Sequence, residues 1–571
     1  MADLDDAVAT RGVAVIGAGP VGQTTGLLLA RRGVPVVLLD DRPERDPVGS
    51  KAICQQRDVL DVWEFAGGGR RIAAEGLTWR TARTFHRDRE LFADHLPDAG
   101  MSEFPPFVNI SQARVEEVLD EQIARQPLID LRWGLEVVGL EQDPAGVTIR
   151  CSGGGQVRAA YAVACAGARA DTVRRSLGVT FGGRSFDDRF LICDIRADLP
   201  DWADERRFYF DPAWNPGRQV LIHPCPGGVF RIDWQVPEDY DLEAEKRSGA
   251  LDERIRAIVG DVDYEVVWSS VYRFHSRVVD RMRVGRVLLA GDCAHLYAPF
   301  GARGLNSGVG DADNAAWKLA WVVRGWAGED LLESYHAERH AAAEENLAVT
   351  TATMDFLVPH DDEGRRRREA VLTGAASDPG LRGQVDSGRL AEPFWYVASP
   401  LTTADETRPF AGRPARATVP SPGPGILVPD VPVSVAGCTR LRELARSGFL
   451  VLAAPEADVA GAERVLTAEG EGGGMVGGEP GMAEAESAAG ESAGADSAGA
   501  EWAGAEWAGA LRVLAADAVD PTGSVVAELG MRRGELWVLR PDAYVAAVVT
   551  DPGDLGPVLR RACGRTGTAV R

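Results

Sequence analysis

Hydrophobic positions along the chain follow two rhythms. Short, largely apolar runs recur at 12–16, 34–39, 159–165 and 285–290. Such runs predict strands buried on both faces of a parallel sheet. Between the first two, 20–32 has helical spacing and stops at Gly33, so 12–40 predicts a strand–helix–strand unit. Further helices are predicted over 115–124, 311–323 and 330–356, and strands near 130–150. From about 180 to 284 the rhythm becomes alternation, as in 206–210, 219–223 and 229–235, with Pro, Gly and Asn between. That predicts a mostly antiparallel sheet inserted into the first domain. A Pro-, Arg- and Gly-rich stretch at 358–424 precedes a small α/β region, with a helix near 441–446 and strands at 449–453 and near 535–549. Within this region 486–510 repeats in fives, a period that fits neither helix nor strand. The expected organisation is an α/β fold: a discontinuous dinucleotide-binding domain (1–178 and 285–357), a substrate domain (179–284), a linker (358–424), and a small domain (425–571) with a low-complexity insert (456–510).

Composition narrows the class. A chain of 571 residues, 45% hydrophobic and 26% charged, has room for more than one core, and at roughly 150 residues per domain it predicts two to four domains. No apolar run reaches about 18 residues, so no spanning helix is expected. The start, Met1-Ala2-Asp3-Leu4-Asp5-Asp6, is acidic and lacks the basic-then-apolar signal pattern, so a cytoplasmic protein is expected. Eight cysteines are scattered without ligand spacing, which argues against a zinc site or a dithiol centre; no metal is expected. The net charge of −23 argues against nucleic acid as a partner. Much of that charge sits in 456–510, where twelve acids face a single arginine.

Two motifs carry the chemistry. Gly17-x-Gly19-x-x-Gly22 between a strand and a helix is the dinucleotide fingerprint: Gly17 for the tight turn, Gly19 for backbone approach to a pyrophosphate, Gly22 for helix–strand packing. Asp40, at the end of the next strand, suits a ribose hydroxyl. Gly472-x-Gly474-x-x-Gly477 has the same spacing but no strand before it, and is rejected. The second motif runs from Gly291-Asp292-Cys293-Ala294-His295 through Pro299-Phe300-Gly301-Ala302-Arg303-Gly304-Leu305-Asn306 to a helix starting near Asp311. A strand end with an acid, a glycine-rich loop and a helix start suit a ribityl chain and a heteroaromatic ring better than a phosphate alone. His295 is expected to order this loop.

With these motifs, and with Gly49 to Cys54, Gln112 with Glu116, Asp187-Asp188-Arg189-Phe190 and Arg231-Ile232-Asp233, the sequence resembles the flavin-dependent aromatic hydroxylases (group A flavoprotein monooxygenases). The likeness covers about residues 10–356 and is strongest to the 3-(3-hydroxyphenyl)propionate hydroxylase and phenol hydroxylase-like branch. The resemblance implies a glutathione-reductase-type FAD domain, an inserted β-sheet substrate domain and a small thioredoxin-like C-terminal domain, here without CxxC. It implies one FAD, with Gly17, Gly19, Gly22 and Asp40 at the ADP half and Gln112 near the ribityl chain. Asp292 would hold ribityl or pyrophosphate groups, and Pro299, Gly301, Gly304, Leu305 and Asn306 would line the ring. Lys51 stands where the family usually has Arg. Ala166 stands where the family has an Asp that serves the cofactor. The implied reaction uses NADPH or NADH to reduce FAD, adds O2 at flavin C4a and transfers one oxygen from that hydroperoxide to an electron-rich ring. His223 or Tyr209 could polarise a phenol, with Pro299 beside the reacting centre, and Trp214, Arg231, Trp234 and Tyr272 could contact the substrate. A small aromatic acceptor and O2 are the expected partners of a monomer or homodimer. The low-lysine, arginine-rich composition associates with genomes in which such enzymes modify polyketides, so a polyketide-derived phenol is favoured. Epoxidation, Baeyer–Villiger insertion and a non-catalytic flavin protein stay as alternatives.

Overall fold

The computed structural model describes residues 2–45, 52–96, 100–359, 361–414, 418–435, 437–471 and 511–565. They form two compact units: 1–323 with 332–395 and 411–420, and 324–331 with 396–410 and 421–571.

In the first unit the apolar runs build a six-stranded sheet. Its order is Arg283–Val284, Val287–Leu289, Tyr161–Ala164, Val13–Ile16, Val36–Leu39, Ile129–Arg132. All neighbours are parallel except the first pair. Each central strand is buried along its whole length, as its unbroken apolar run requires. The helices Pro20–Arg31 and Gln112–Ile123 follow the expected spacing. The helix expected over 311–323 does not. It spans Arg303–Val323 and so begins inside the glycine-rich motif, which reads as a loop. Gly308 explains the early start: a Cβ there would lie 2.6 Å from Val21 and 3.2 Å from the Gly291 backbone, so the helix packs against the fingerprint helix only through bare backbone.

The alternating segments build an eight-stranded sheet, ordered His295–Leu296, Tyr264–Val279, Phe181–Ala197, Val229–Val236, Gln219–Cys225, Glu205–Phe210, Thr81–His86, Arg89–His95. It is antiparallel except where Glu205–Phe210 runs parallel to Thr81–His86. That hairpin at 81–95 comes from well upstream of 179. The stretch 358–424 is not bare linker: it contains the helices Asp362–Gly374 and Pro379–Arg382, and the Asp361 carboxylate caps the first by accepting from Gly364 N–H.

The second unit is a four-stranded sheet, ordered Leu511–Ala515, Phe449–Ala453, Leu536–Leu539, Val545–Val549. Only the first pair is parallel, and the helix Val459–Glu471 belongs to the crossover between them. Trp537, Leu450, Leu452 and Val545 lie in its core. The five-residue repeat lies outside the described residues. Among the described residues no helix is long and apolar enough to cross a membrane.

Candidate active site

At the end of the first strand, Gly17 turns at φ +103, and a Cβ there would lie 2.4 Å from the Cys165 carbonyl oxygen and 3.0 Å from Ala166 Cα. A Cβ on Gly22 would lie 1.8 Å from the Gly17 carbonyl oxygen. Both positions therefore exclude a side chain, as the fingerprint requires. Gly19 is different: a Cβ would meet nothing within 4 Å, and no side chain caps the helix that begins there. The helix end thus presents N–H groups and partial positive charge to open space, which suits a pyrophosphate.

Asp40 is buried and accepts from Ala18 N–H at 2.7 Å and from Arg42 N, Nε and Nη2 at 3.0, 2.8 and 3.0 Å. Burial opposes its charge, but the Arg42 and Ala18 donors outweigh it and hold the carboxyl below its ordinary value. Arg45, which no motif singles out, donates to Asp120 at 2.7 and 2.6 Å, to Glu116 at 3.0 Å and to the Ala18 carbonyl at 2.7 Å. Gln112 donates to Glu116 at 2.8 Å and accepts from Ala52 N–H at 3.3 Å. Ala166, beside Gly17, brings only a methyl group to this end. Lys51 lies outside the described residues.

At the other end, Asp292 is exposed just after the strand Val287–Leu289. Asp311 organises the loop that leaves this strand. Wholly buried, it accepts from Gly291 N–H at 2.9 Å and from Arg339 Nε at 2.7 Å, and lies 2.7 Å from His295 Nε2. Burial would raise its pKa, but His295 and Arg339 more than compensate, so the carboxylate stays ionised. His295 therefore orders the loop through Asp311, 16 residues away, rather than through its neighbour Asp292.

Pro299 is exposed and Phe300 turns into the core. Gly301 has φ +91 and no room for a side chain, since a Cβ would lie 2.0 Å from the Arg389 carbonyl oxygen. A Cβ on Gly304 would meet nothing within 4 Å, so the first turn of the 303–323 helix, with half-buried Leu305 beside it, has an open flank. Asn306 does not line that flank. It is buried and donates to the Cys54 and Ala302 carbonyls at 3.0 and 2.6 Å while accepting from Gln56 N–H at 3.0 Å. It pins the strand Cys54–Gln56 to the helix start. On that strand both amide atoms of Gln55, fully buried, and Oε1 of Gln56 have no hydrogen-bond partner in the protein. Such orphaned atoms are rare and mark a place where a polar ligand group fits.

The eight-stranded sheet sorts the remaining candidates by face, because residues directly opposite on antiparallel strands share one. Tyr209, Val220 and Trp234 form a row, with Ile222 and Ile232 on the same side. This face packs on Leu251, Ile255 and Val259 of the helix Ala250–Val259, and Trp214 lies against Tyr209 at 5.4 Å. The other face carries Phe190, Phe208 and Leu221, which pack with Phe300 of the glycine loop. Tyr209, Trp214 and Trp234 are therefore not brought to the loop. Tyr209 stacks on Phe85 at 4.5 Å, its hydroxyl accepts from Arg207, and burial pushes its pKa up. That is unsuited to polarising a phenol.

His223, Arg231 and Tyr272 do lie on the loop's face. Arg231, however, gives Nε and Nη2 to the facing carboxylate Asp194 at 2.7 and 2.8 Å. His223 is buried with Nδ1 unpaired, and burial, reinforced by Arg206 and Arg231, holds it well below 6.5, so it is neutral. In the next row stands Asp233, half-buried, with Oδ1 enclosed and unpaired. Burial, opposed by Arg231, pushes it up to about 7. It follows Arg231 by two residues, so strand alternation puts it on the same face; that periodicity was the signal available for it. The row lies beside the pinned strand: Asn109, which pairs with Cys54, donates to the Pro224 carbonyl at 2.7 Å.

A nucleotide cradle at one end, and a glycine-rich helix start under an aromatic and ionisable sheet face at the other, define a flavoenzyme class. A family model described as FAD binding domain matches residues 10–350. A 3-(3-hydroxy-phenyl)propionate/3-hydroxycinnamic acid hydroxylase of Mycobacterium sp. (strain KMS) is 29% identical over 442 residues, covering 77% of this chain and 74% of that protein. In fold the chain is similar to the flavin-dependent monooxygenase PieE in complex with FAD and substrate, with TM-score 0.79 and 22% identity over 97% of this chain and 99% of that one. It is also similar to aklavinone-11 hydroxylase in a ternary complex with FAD and aklavinone, with TM-score 0.72 and 24% identity over the same shares. The chain belongs to this FAD-binding family and is an FAD-dependent monooxygenase of the aromatic-hydroxylase kind. The open flanks at Gly19 and Gly304, the uncapped helix end and the orphaned Gln55 and Gln56 atoms fit FAD.

Proposed function

We propose that this enzyme uses NADPH or NADH and O2 to hydroxylate a phenol, and that the acceptor is a polycyclic, polyketide-derived phenol in preference to a simple phenylpropionate. One observation carries the reading. On a single sheet face beside the glycine loop, the rings of Phe190, Phe208 and Phe274, packed with Phe300 of that loop, give way to the polar groups of buried His223 and half-buried Asp233. That combination suits a flat ring bearing a hydroxyl. The preference for a polycyclic acceptor rests on composition and is association, not geometry.

When bound, FAD supplies the redox chemistry that links the nicotinamide to dioxygen. The chain's own residues bind and orient. Gly17, Gly19 and Gly22 with the 20–31 helix hold the pyrophosphate, and Asp40 with Arg42 fixes the ribose side. Gln112 and Asp292 serve the ribityl chain. Pro299, Gly301, Gly304 and Leu305 flank the ring, and Asn306 sets the strand that presents Gln55 and Gln56 to it. The phenylalanines exclude water from the acceptor, and His223 and Tyr272 border it. We read the 425–571 region as thioredoxin-like and structural, and the enzyme as a cytoplasmic monomer or homodimer.

The test is a panel of polycyclic phenols and phenylpropionates supplied with NAD(P)H and oxygen-18-labelled O2. One label in a new ring hydroxyl of a polycyclic phenol is expected. Turnover confined to phenylpropionates reverses the acceptor preference. Labelled lactone or epoxide, or no labelled product, overturns the hydroxylase reading.

A further inference from the structure

We infer that Asp233 is the proton acceptor of this site, taking the hydroxyl proton of the phenolic substrate; the inference rests on the hydroxylase reading above. Asp233 lies directly across from Leu221, which faces Phe208, and both pack with Phe300, next to Pro299 in the glycine loop. Its carboxylate thus stands at the edge of the aromatic-lined face. Oδ1 is enclosed and receives no hydrogen bond from the protein. The nearest cation along the strand, Arg231, is bonded through Nε and Nη2 to Asp194. The site therefore holds a carboxylate oxygen whose acceptor capacity the protein leaves unused.

The groups facing Asp233 are consistent with that role. They are Asp194 on the 181–197 strand, Arg231 on its own strand, Arg206 on the 205–210 strand, and His223 and Cys225 on the 219–225 strand. His223 is held neutral, and burial pushes the Cys225 thiol up to about 12. Two guanidinium groups and the Asp194 carboxylate are the fixed charges. With Asp233 near 7, its proton affinity stands closer to a phenol's, roughly 10, than an ordinary carboxyl at 3.8 does. Proton transfer becomes more efficient as the two approach. In the step, the substrate O–H bond breaks and the proton moves to Asp233. The electron pair stays on the oxygen and delocalises into the ring, which becomes the stronger nucleophile for oxygen transfer. Asp233 returns the proton to the product's oxygen.

The test compares FAD-loaded wild type with Asp233→Asn and Asp233→Glu, using melting curves and flavin absorbance as folding controls. With the acceptor found in the oxygen-18 panel, Asp233→Asn is expected to lose about 100-fold in hydroxylation rate and to lose the acidic limb of the pH profile. FAD content should be unchanged, and Asp233→Glu should recover part of the rate together with that limb. A second readout needs no turnover: binding of 4-nitrophenol, followed by its phenolate absorbance. Two like charges meet when probe and Asp233 both ionise, so wild-type affinity should fall about tenfold between about pH 6 and pH 9, and that of Asp233→Asn should not. If wild type hydroxylates while Asp233→Asn keeps its rate within about threefold and retains the limb, Asp233 is not the acceptor. If no phenol is oxygenated, the hydroxylase reading falls by itself, and the probe titration still decides whether Asp233 meets a phenol. Equal titrations in wild type and Asp233→Asn overturn the placement.

Discussion

Asp311 holds the strand end at Gly291, the loop at His295 and the Asp330–Leu357 helix at Arg339 against one another. Asp311→Asn keeps the shape but leaves Arg339 buried without its counter-charge, at a cost of about 3–5 kcal/mol. The variant is expected to melt at lower temperature and to purify with less FAD, measured by calorimetry and flavin absorbance. The pH dependence has a definite sign. The folded carboxyl sits below its unfolded value, so its contribution is complete above the unfolded value and is lost as pH falls through the folded one. Melting curves taken from neutral to acid pH should therefore converge for wild type and variant. Gly17, Gly19, Gly22 and Asp40 were legible in the sequence because a turn, its helix and the next strand are local, and the glycine spacing encodes the contacts. The partnership of Asp311 with His295, and of Arg231 with Asp194 at a separation of 37 residues, was not. Each depends on which elements become neighbours in space, and no spacing rule states that.

Two glycines of one helix separate packing from ligand approach. At Gly308 a Cβ would press on Val21 and the Gly291 backbone, whereas at Gly304 it would meet only open space. Gly308→Ala should cost roughly 1–3 kcal/mol by overpacking and lower melting temperature and FAD affinity together. Gly304→Ala should leave the flavin-free protein as stable, or up to about 1 kcal/mol more stable through helix propensity, while weakening FAD. Flavin titration alongside thermal melts of both variants distinguishes the two, and a Gly304→Ala protein with undiminished FAD affinity would remove Gly304 from the ring's edge. The same helix shows why part of the fold stayed hidden. Gly301, Gly304, Gly308 and Gly310 read as a loop by propensity, yet at Gly308 close packing on the fingerprint helix requires bare backbone, and the helix starts at Arg303. The 81–95 hairpin was missed for a related reason: its short alternation precedes the long inserted segment and reveals nothing of the parallel partner Glu205–Phe210.

At the scale of the whole molecule, the strands and helix of the second unit's sheet lie in described segments on both sides of 472–510, a stretch with seven acids and no basic residue. Replacing 472–510 by a Gly/Ser tract of equal length should move the net charge from −23 to −16. Melting temperature and FAD content should stay unchanged, because the strand pairing 449–453 with 511–515 is untouched and a loop of the same length closes at the same entropic cost. A melting point lowered by more than a few degrees would show that the repeat contributes to the fold. The two-faced sheet of the first unit has a consequence of another kind. Along 229–236, positions 231, 233 and 235 lie on the face of the glycine loop, while 230, 232, 234 and 236 lie on the core behind them. The two sets interleave in sequence yet stand back to back in space. If the proposed acceptor site is right, a lineage can therefore drift in acceptor preference at 223 and 233 while selection on stability keeps Ile232 and Trp234 fixed, and a mutant library confined to those two positions explores chemistry without reopening the fold.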